Sequence, residues 1–201
     1  MRKLIVSEFM TLDGVMQAPG GKDEDTEGGF RHGGWTIPYW HDDIGNSFGA
    51  LMQNVDAFLL GRKTYVIHGQ AFEPMHPGDP FGDLMDAPKK YVVSRTLEKP
   101  IWRNTTIIRD NVVEAVRKLK AAPGKNIITD GSHQLVHTLL KHDLVDELHL
   151  LLYPLILLWL HRGPAAIGLY PDGAAAPAAR DAAPAPALGP WGRSAPPAAT
   201  A

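Results

Sequence analysis

Apolar residues along the chain fall into short runs that alternate with stretches of helical spacing. The runs are Lys3 to Phe9 (KLIVSEF), Asp56 to Gly61 (DAFLLG), Lys90 to Leu97 (KYVVSRTL), Thr105 to Arg109 (TTIIR), Asn126 to Asp130 (NIITD) and a long one from Glu147 to Leu157 (ELHLLLYPLIL). Each is rich in β-branched, aromatic or leucine residues, and predicts a strand. Between them lie His41 to Val55, with apolar residues at Ile44, Phe48, Leu51, Met52 and Val55; Arg62 to Phe72; Asn111 to Ala122, with Val112, Val113, Val116 and Leu119; and Ser132 to His142. These predict helices, and Pro123-Gly124 terminates the third. Strands alternating with helices imply βαβ units, a mainly parallel sheet and helices on its faces, an α/β fold.

Two segments break the pattern. Asp13 to Trp40 is Gly-rich (APGGKDEDTEGGFRHGGW) and predicts a long loop, which in a small domain is functional or disordered. Met75 to Pro88, rich in Pro and Gly, also predicts loop. After Leu160 the chain changes character to Ala and Pro, with no lysine, so residues 1–160 are expected to form the domain and residues 161–201 a disordered tail.

The run Leu148 to Leu160 is broken in polarity only by His149 and carries Pro154 in its middle. At about 13 residues it falls short of the roughly 20 that a spanning helix needs. It predicts a buried strand of 6–8 residues, starting near Glu147 and finishing near Leu157. The N-terminus is interrupted by Glu8 too early for a signal peptide, so it reads as a first strand.

Composition changes this picture little. With 201 residues, 21% charged and a net charge of -2, neither nucleic acid nor an acidic membrane surface is expected as the partner. There is no cysteine, which excludes disulfides and thiolate metal sites; a cytoplasmic location fits.

Candidate chemistry sits where strands end. Ile127 to Thr129 runs through Asp130 into Gly131-Ser132 and directly into a helix. Such a junction is either a plain strand–cap–helix turn or an anion site made of helix N–H groups, with Ser132 as N-cap. At Gly61 another strand opens a helix, with Arg62, Lys63 and Thr64 at its start. Two cations there oppose the helix dipole, a cost that a bound anion relieves. Ser94 and Arg95 form a third hydroxyl-plus-guanidinium cluster at a strand end. In a parallel sheet all three ends lie on the carboxyl side, where open α/β folds bind ligands. His133 and His137, four apart on a helix, have metal-ligand spacing, but Gln134 stands where a zinc hydrolase needs Glu and no third ligand is evident, so no metal is expected.

Taken together, MRKLIVSEFMTLDGVMQAPGG, GGFRHGGW, LLGRKTY, KYVVSRTL and LVDELHLLLYPLIL resemble the dihydrofolate-reductase-like family. That family includes the reductase domain of the bifunctional riboflavin-biosynthesis deaminase/reductase; the nearer likeness is to its stand-alone bacterial relatives. The resemblance runs from residue 1 to about residue 157. It implies a three-layer α/β sandwich with NADPH across the carboxyl ends of the strands. It implies that Gly61, Arg62, Lys63 and Thr64 hold the cofactor phosphates, that Ser94 and Arg95 read the adenosine 2′-phosphate, and that Gly131 and Ser132 hold the pyrophosphate. Thr11 to Gly14 would border the nicotinamide and substrate, with Thr11 and Trp40 on the substrate and Asp13 and Asp130 as proton-handling groups. The implied activity is NADPH-dependent hydride transfer to a small pteridine, a 5-amino-6-ribosylaminouracil-like heterocycle or a carbonyl compound. A homodimer is also implied.

The relatives continue past the last apolar strand with a Gly-rich turn, a Lys-Arg-Leu-Phe-like segment and two further strands. Here only Leu169 to Gly173 (LYPDG) resembles that ending, and Ala and Pro follow. A reading-frame disturbance or true divergence would each produce this, and either loses or alters the C-terminal strands. The alternative function is therefore a catalytically impaired relative that binds a nucleotide or dimerises without turnover.

Overall fold

The computed structural model describes residues 1–157; the expected tail and the LYPDG remnant lie outside the described residues. The chain divides into two compact units. The first comprises Met1–Glu8 and His41–Leu151, and the second Phe9–Trp40 with the chain from Leu152.

The strands are β1 (Leu4–Thr11), β2 (Val55–Gly61), β3 (Lys89–Val93), β4 (Thr105–Ile108), β5 (Asn126–Asp130) and β6 (Glu147–Tyr153), and the sheet order is β4-β3-β2-β5-β1-β6. The pairs β1/β5, β2/β5, β2/β3 and β3/β4 are all parallel. The helices are α1 (Asp42–Met52), α2 (Arg62–Phe72), α3 (Pro80–Asp86), α4 (Val112–Ala121) and α5 (His133–Lys141). The α/β architecture with a mainly parallel sheet is thus the one expected.

In the first unit the sheet is covered on both faces. Leu4, Ala57, Leu59, Ile108 and Ile127 pack with Val116 of α4 and Leu135 and Leu139 of α5. Alternation along a strand sends the next residues to the other face. There Ile5, Phe58, Leu60, Val92 and Ile128 are buried, and Phe58 meets Trp102, which also contacts Tyr65 and Phe72 of α2. Below these rings Asp86 accepts from Trp102 Nε1 at 3.0 Å and pairs with buried Lys90, whose ammonium lies 4.3 Å from the Trp102 ring centroid.

Two expectations are corrected. The segment Met75 to Pro88 is not all loop: it holds α3. Asp79 is the N-cap, its carboxylate accepting from the amides of Phe81 and Gly82, and Pro80 stands in the first turn, where its missing N–H costs nothing. The last strand has the expected start and length, seven residues from Glu147, but it finishes short of Leu157 and is less buried than expected. It ends at Tyr153, and Leu148, Leu150 and Leu152 are exposed, because β6 is the terminal strand with β1 as its neighbour in the order.

In the second unit the Gly-rich segment is loop with two single 3-10 turns, Glu27–Gly29 and Ile37–Tyr39. Gly33 is obligatory, since a Cβ there would lie 2.2 Å from the Lys22 carbonyl oxygen. Trp35 is buried and donates its indole N–H to the Gln17 carbonyl at 2.8 Å. Its ring meets Tyr153 edge-on, as do Phe9 and Tyr39.

Candidate active site

In the first unit the strand β2 ends at Gly61 and passes straight into α2, while β5 ends at Asp130 and passes through Gly131 and Ser132 into α5. The two junctions are bonded to each other: the Gly61 amide donates to Ser132 Oγ at 2.9 Å. Gly131 and Ser132 are both left-handed, at φ 66° and 64°. For Gly131 this costs little; a Cβ there would also sit 3.1 Å from Thr64 Oγ1. Ser132 does occupy the N-cap position of α5, but its side chain makes no cap hydrogen bond to that helix and instead holds the β2–α2 junction. The first turn of α2 likewise has no side-chain cap, because its N-cap is Gly61. The start of α2 adds the exposed cations Arg62 and Lys63 and the half-buried Thr64. Two helix N-termini, two cations and hydroxyls give this corner the chemistry to hold an anion. The donor set fits a dinucleotide's phosphates: Arg62, Lys63, Thr64 and the Ser132 hydroxyl would hold them, while the Gly61 amide, expected to join them, is already given to Ser132 Oγ.

One strand over, Gly61 is in register with Val93, so Ser94 and Arg95 follow at the adjacent tip. Ser94 is buried and its Oγ accepts from the amides of Thr96 (3.1 Å) and Leu97 (2.9 Å), forming the turn that presents Arg95. The Arg95 side chain is 83% exposed and stands 3.5 Å from Asp110. Such an exposed pair holds weakly, leaving Arg95 able to turn to a stronger anion. Arg109 lies beside it, donating to the Arg95 carbonyl at 3.3 Å.

Beneath the Gly131 turn is a buried acid that the sequence reading passed over as an interruption of the first strand. Glu8, 4% exposed, accepts the Gly131 amide at Oε2, 3.1 Å away. Its carboxyl is pushed up to about 9, by burial first and then by the Asp130 carboxylate, with the Gly131 amide opposing. Asp130 in turn lies 3.9 Å from His68 Nε2. Burial pushes His68 down to about 4, so the imidazole is neutral at physiological pH. The signal that could have found Glu8 is an unpartnered charge inside an otherwise apolar strand. The Gly131 amide is engaged by Glu8, so a pyrophosphate contact at this pair would rest on the Ser132 hydroxyl.

The remaining expected residues belong to the second unit. Thr11 is buried; its hydroxyl donates to Asp13 Oδ1 at 2.5 Å and accepts the Val15 amide at 2.9 Å. Thr11 thereby sets the TLDG turn and positions the Asp13 carboxylate. Trp40 is half-buried and closes the second 3-10 turn, its amide donating to the Ile37 carbonyl. The structure therefore brings Gly61, Arg62, Lys63, Thr64, Asp130, Gly131 and Ser132 together, with Ser94 and Arg95 at the next tip. Thr11 and Asp13 form a separate pair. His133 and His137 have ring centroids 6.5 Å apart, and among the described residues no cluster of three His, Asp or Glu side chains is arranged to hold a metal. No helix among the described residues is long and apolar enough to cross a membrane.

The chain is similar to several known proteins. YyaP of Bacillus subtilis (strain 168), an uncharacterized protein, is 32% identical over 159 residues, covering 78% of this chain and 77% of its own. YwjB of the same organism, also uncharacterized, is 24% identical over 156 residues, covering 78% and 79%. Among solved structures, a Shewanella sp. PV-4 protein provisionally named as a riboflavin biosynthesis protein superposes with a TM-score of 0.54 at 21% identity, covering 79% of this chain and 80% of that one. The family model of the RibD C-terminal domain matches residues 2–157, the whole of the described chain but its first residue. The chain belongs to the RibD C-terminal domain family.

Proposed function

We propose that this protein is a reductase that passes a hydride from NADPH to a small heterocycle of the pteridine or 5-amino-6-ribosylaminouracil type, or to a small carbonyl compound. Membership of the RibD C-terminal domain family supports a reductase of that kind. The observation that carries the reading is the bonded pair of strand–helix junctions. Gly61 and Ser132 bring two uncapped helix starts, Arg62 and Lys63 to one rim of a parallel sheet. An anionic dinucleotide is the ligand such a rim suits. Arg95, one strand over, offers a guanidinium for the extra 2′-phosphate that distinguishes NADPH from NADH.

When bound, the reduced nicotinamide supplies the hydride; the chain's own residues bind, orient and manage the proton. Arg62, Lys63, Thr64 and Ser132 anchor the phosphates. Asp130, at the tip of β5 with its side chain 27% exposed, handles the proton that must join the atom next to the reduced carbon. Isothermal titration with NADPH and NADH, followed by NADPH oxidation with pyrimidine, pteridine and aldehyde probes, tests the reading. Tighter binding of NADPH and turnover of one probe are expected. Absence of binding to either coenzyme contradicts it.

A further inference from the structure

Glu8 is a buried acid that the proposed reaction does not use. The register sets Ser7 beside Asp130, so the next residue of β1, Glu8, stands alongside Gly131. Alternation puts Glu8 on the same side of the sheet as Leu4, the side that packs against Leu135 and Leu139 of α5. It lies beneath the turn that opens that helix, and its Oε2 accepts the Gly131 amide at 3.1 Å. That turn is costly. Gly131 and Ser132 are successive left-handed residues, and serine adopts this conformation against a steric penalty. Bonds on several sides hold Ser132 in it. Its carbonyl accepts the amides of Leu135 (2.8 Å) and Val136 (3.0 Å), and its Oγ accepts the Gly61 amide at 2.9 Å. The residue before it is gripped from below by Glu8. The chain of contacts Glu8–Gly131 and Ser132–Gly61 thus crosses β1, β5 and β2, which are neighbours in the sheet. Burial also raises the Glu8 carboxyl, so at neutral pH it is uncharged and does not repel an anion held by this turn.

We propose that Glu8 is a positioning residue for coenzyme binding: by holding the Gly131 amide it fixes the left-handed turn, and so keeps the Ser132 hydroxyl on the Gly61 amide and the starts of α2 and α5 in the arrangement that takes NADPH phosphates. This rests on the reductase reading. Glu8 touches neither coenzyme nor substrate; it acts through Gly131 and Ser132.

The test has two arms on the full chain. The first needs no coenzyme: amide hydrogen exchange is followed by NMR in wild type, Glu8→Leu and Glu8→Gln. Leucine fills the site without an acceptor, whereas glutamine keeps an oxygen for the Gly131 amide. In Glu8→Leu the Gly61 and Gly131 amides should exchange at least about tenfold faster relative to Leu59 in the same sheet, and Glu8→Gln should restore their protection. Should Glu8→Leu fail to fold, Glu8→Asp, whose carboxyl stops one methylene short, takes its place in both arms. Unchanged exchange at Gly61 overturns the proposal. In the second arm NADPH affinity is measured by titration calorimetry. Glu8→Leu should weaken it about fivefold or more, and Glu8→Gln should stay within about twofold of wild type. In a Ser132→Ala background, Glu8→Leu should weaken it less than about twofold further, because the route through Ser132 is already gone. A general loss of structure would instead add in full. Full additivity, no rescue by Glu8→Gln, or NADPH binding that is unchanged or tightened in Glu8→Leu, as a freed Gly131 amide would give, overturns the positioning role and leaves the reductase reading intact. Wild type that binds neither NADPH nor NADH overturns the reductase reading and this role with it, whatever the exchange at Gly61 shows.

Discussion

The Ser132 hydroxyl oxygen accepts the Gly61 amide across 71 positions of sequence, and this one bond joins the β2–α2 junction to the β5–α5 junction. Ser132→Ala removes the acceptor and leaves the half-buried Gly61 amide without it. A loss of about 1 kcal/mol of stability is expected, read from chemical denaturation. NADPH affinity should fall about fivefold or more by titration calorimetry, since the hydroxyl is also part of the proposed phosphate cradle. Gly131→Ala should destabilise by about 1–2 kcal/mol for a different reason, the left-handed backbone and the close Thr64 hydroxyl.

Stability should depend on pH in a pattern set by buried groups. Glu8 is raised from 4.5 to about 9, so the folded state holds a proton that the unfolded state gives up between those values. Its contribution is complete below 4.5 and is lost as pH rises toward 9. His68 is depressed from 6.5 to about 4, so its contribution is present above 6.5 and lost as pH falls toward 4. Between 4.5 and 6.5 the two slopes cancel. From 6.5 to about 8 Glu8 acts alone, and stability should fall by about 1.4 kcal/mol per pH unit. Above 8, burial of Lys90, lowered from 10.5 to about 8, opposes the fall. Urea denaturation across this range checks the pattern, and Glu8→Gln should flatten the 6.5–8 segment.

A third prediction is independent of any ligand. Asp86 accepts from the Trp102 indole, faces buried Lys90, and lies 3.3 Å from Arg103. Asp86→Ala leaves the Lys90 ammonium and the indole N–H buried without their acceptor, and should cost about 3–5 kcal/mol in denaturation experiments. Lys90→Met, which keeps volume and removes the charge that must be buried, should cost less than Asp86→Ala.

Much of this fold was legible because burial imposes its own period on the sequence. DAFLLG and NIITD read as buried strands, and NVVEAVRKLKAA as a helix, because each has to put apolar residues on one or two fixed faces. The α3 helix was hidden because its seven residues are too few to show a period; Asp79-Pro80 was its only mark. The residues of the proposed anion cradle were legible as Gly, Arg, Lys and Ser at strand ends. The Gly61–Ser132 bond was not, because it depends on two junctions meeting in space. Glu8 was overlooked for the converse reason: its strand position was clear, but the Gly131 amide that it accepts is 123 residues away and is brought to it by the β1/β5 pairing.

Arg95 carries a prediction about coenzyme choice. It sits one strand from the proposed cradle, and its exposed guanidinium is paired with Asp110 at the surface. Arg95→Ala should lower the preference for NADPH over NADH about tenfold while leaving NADH affinity nearly unchanged. Parallel titrations with the two coenzymes measure it, and the loss should shrink at high salt because the contact is exposed.

The most direct measurement is an amide-resolved NMR titration of the full chain with NADPH. The account predicts saturable shifts concentrated at Gly61 to Thr64, at Ser132 and at Arg95, which vanish together in Arg62→Ala/Lys63→Ala. Resonances at those positions that stay in place as NADPH is added to excess would contradict it.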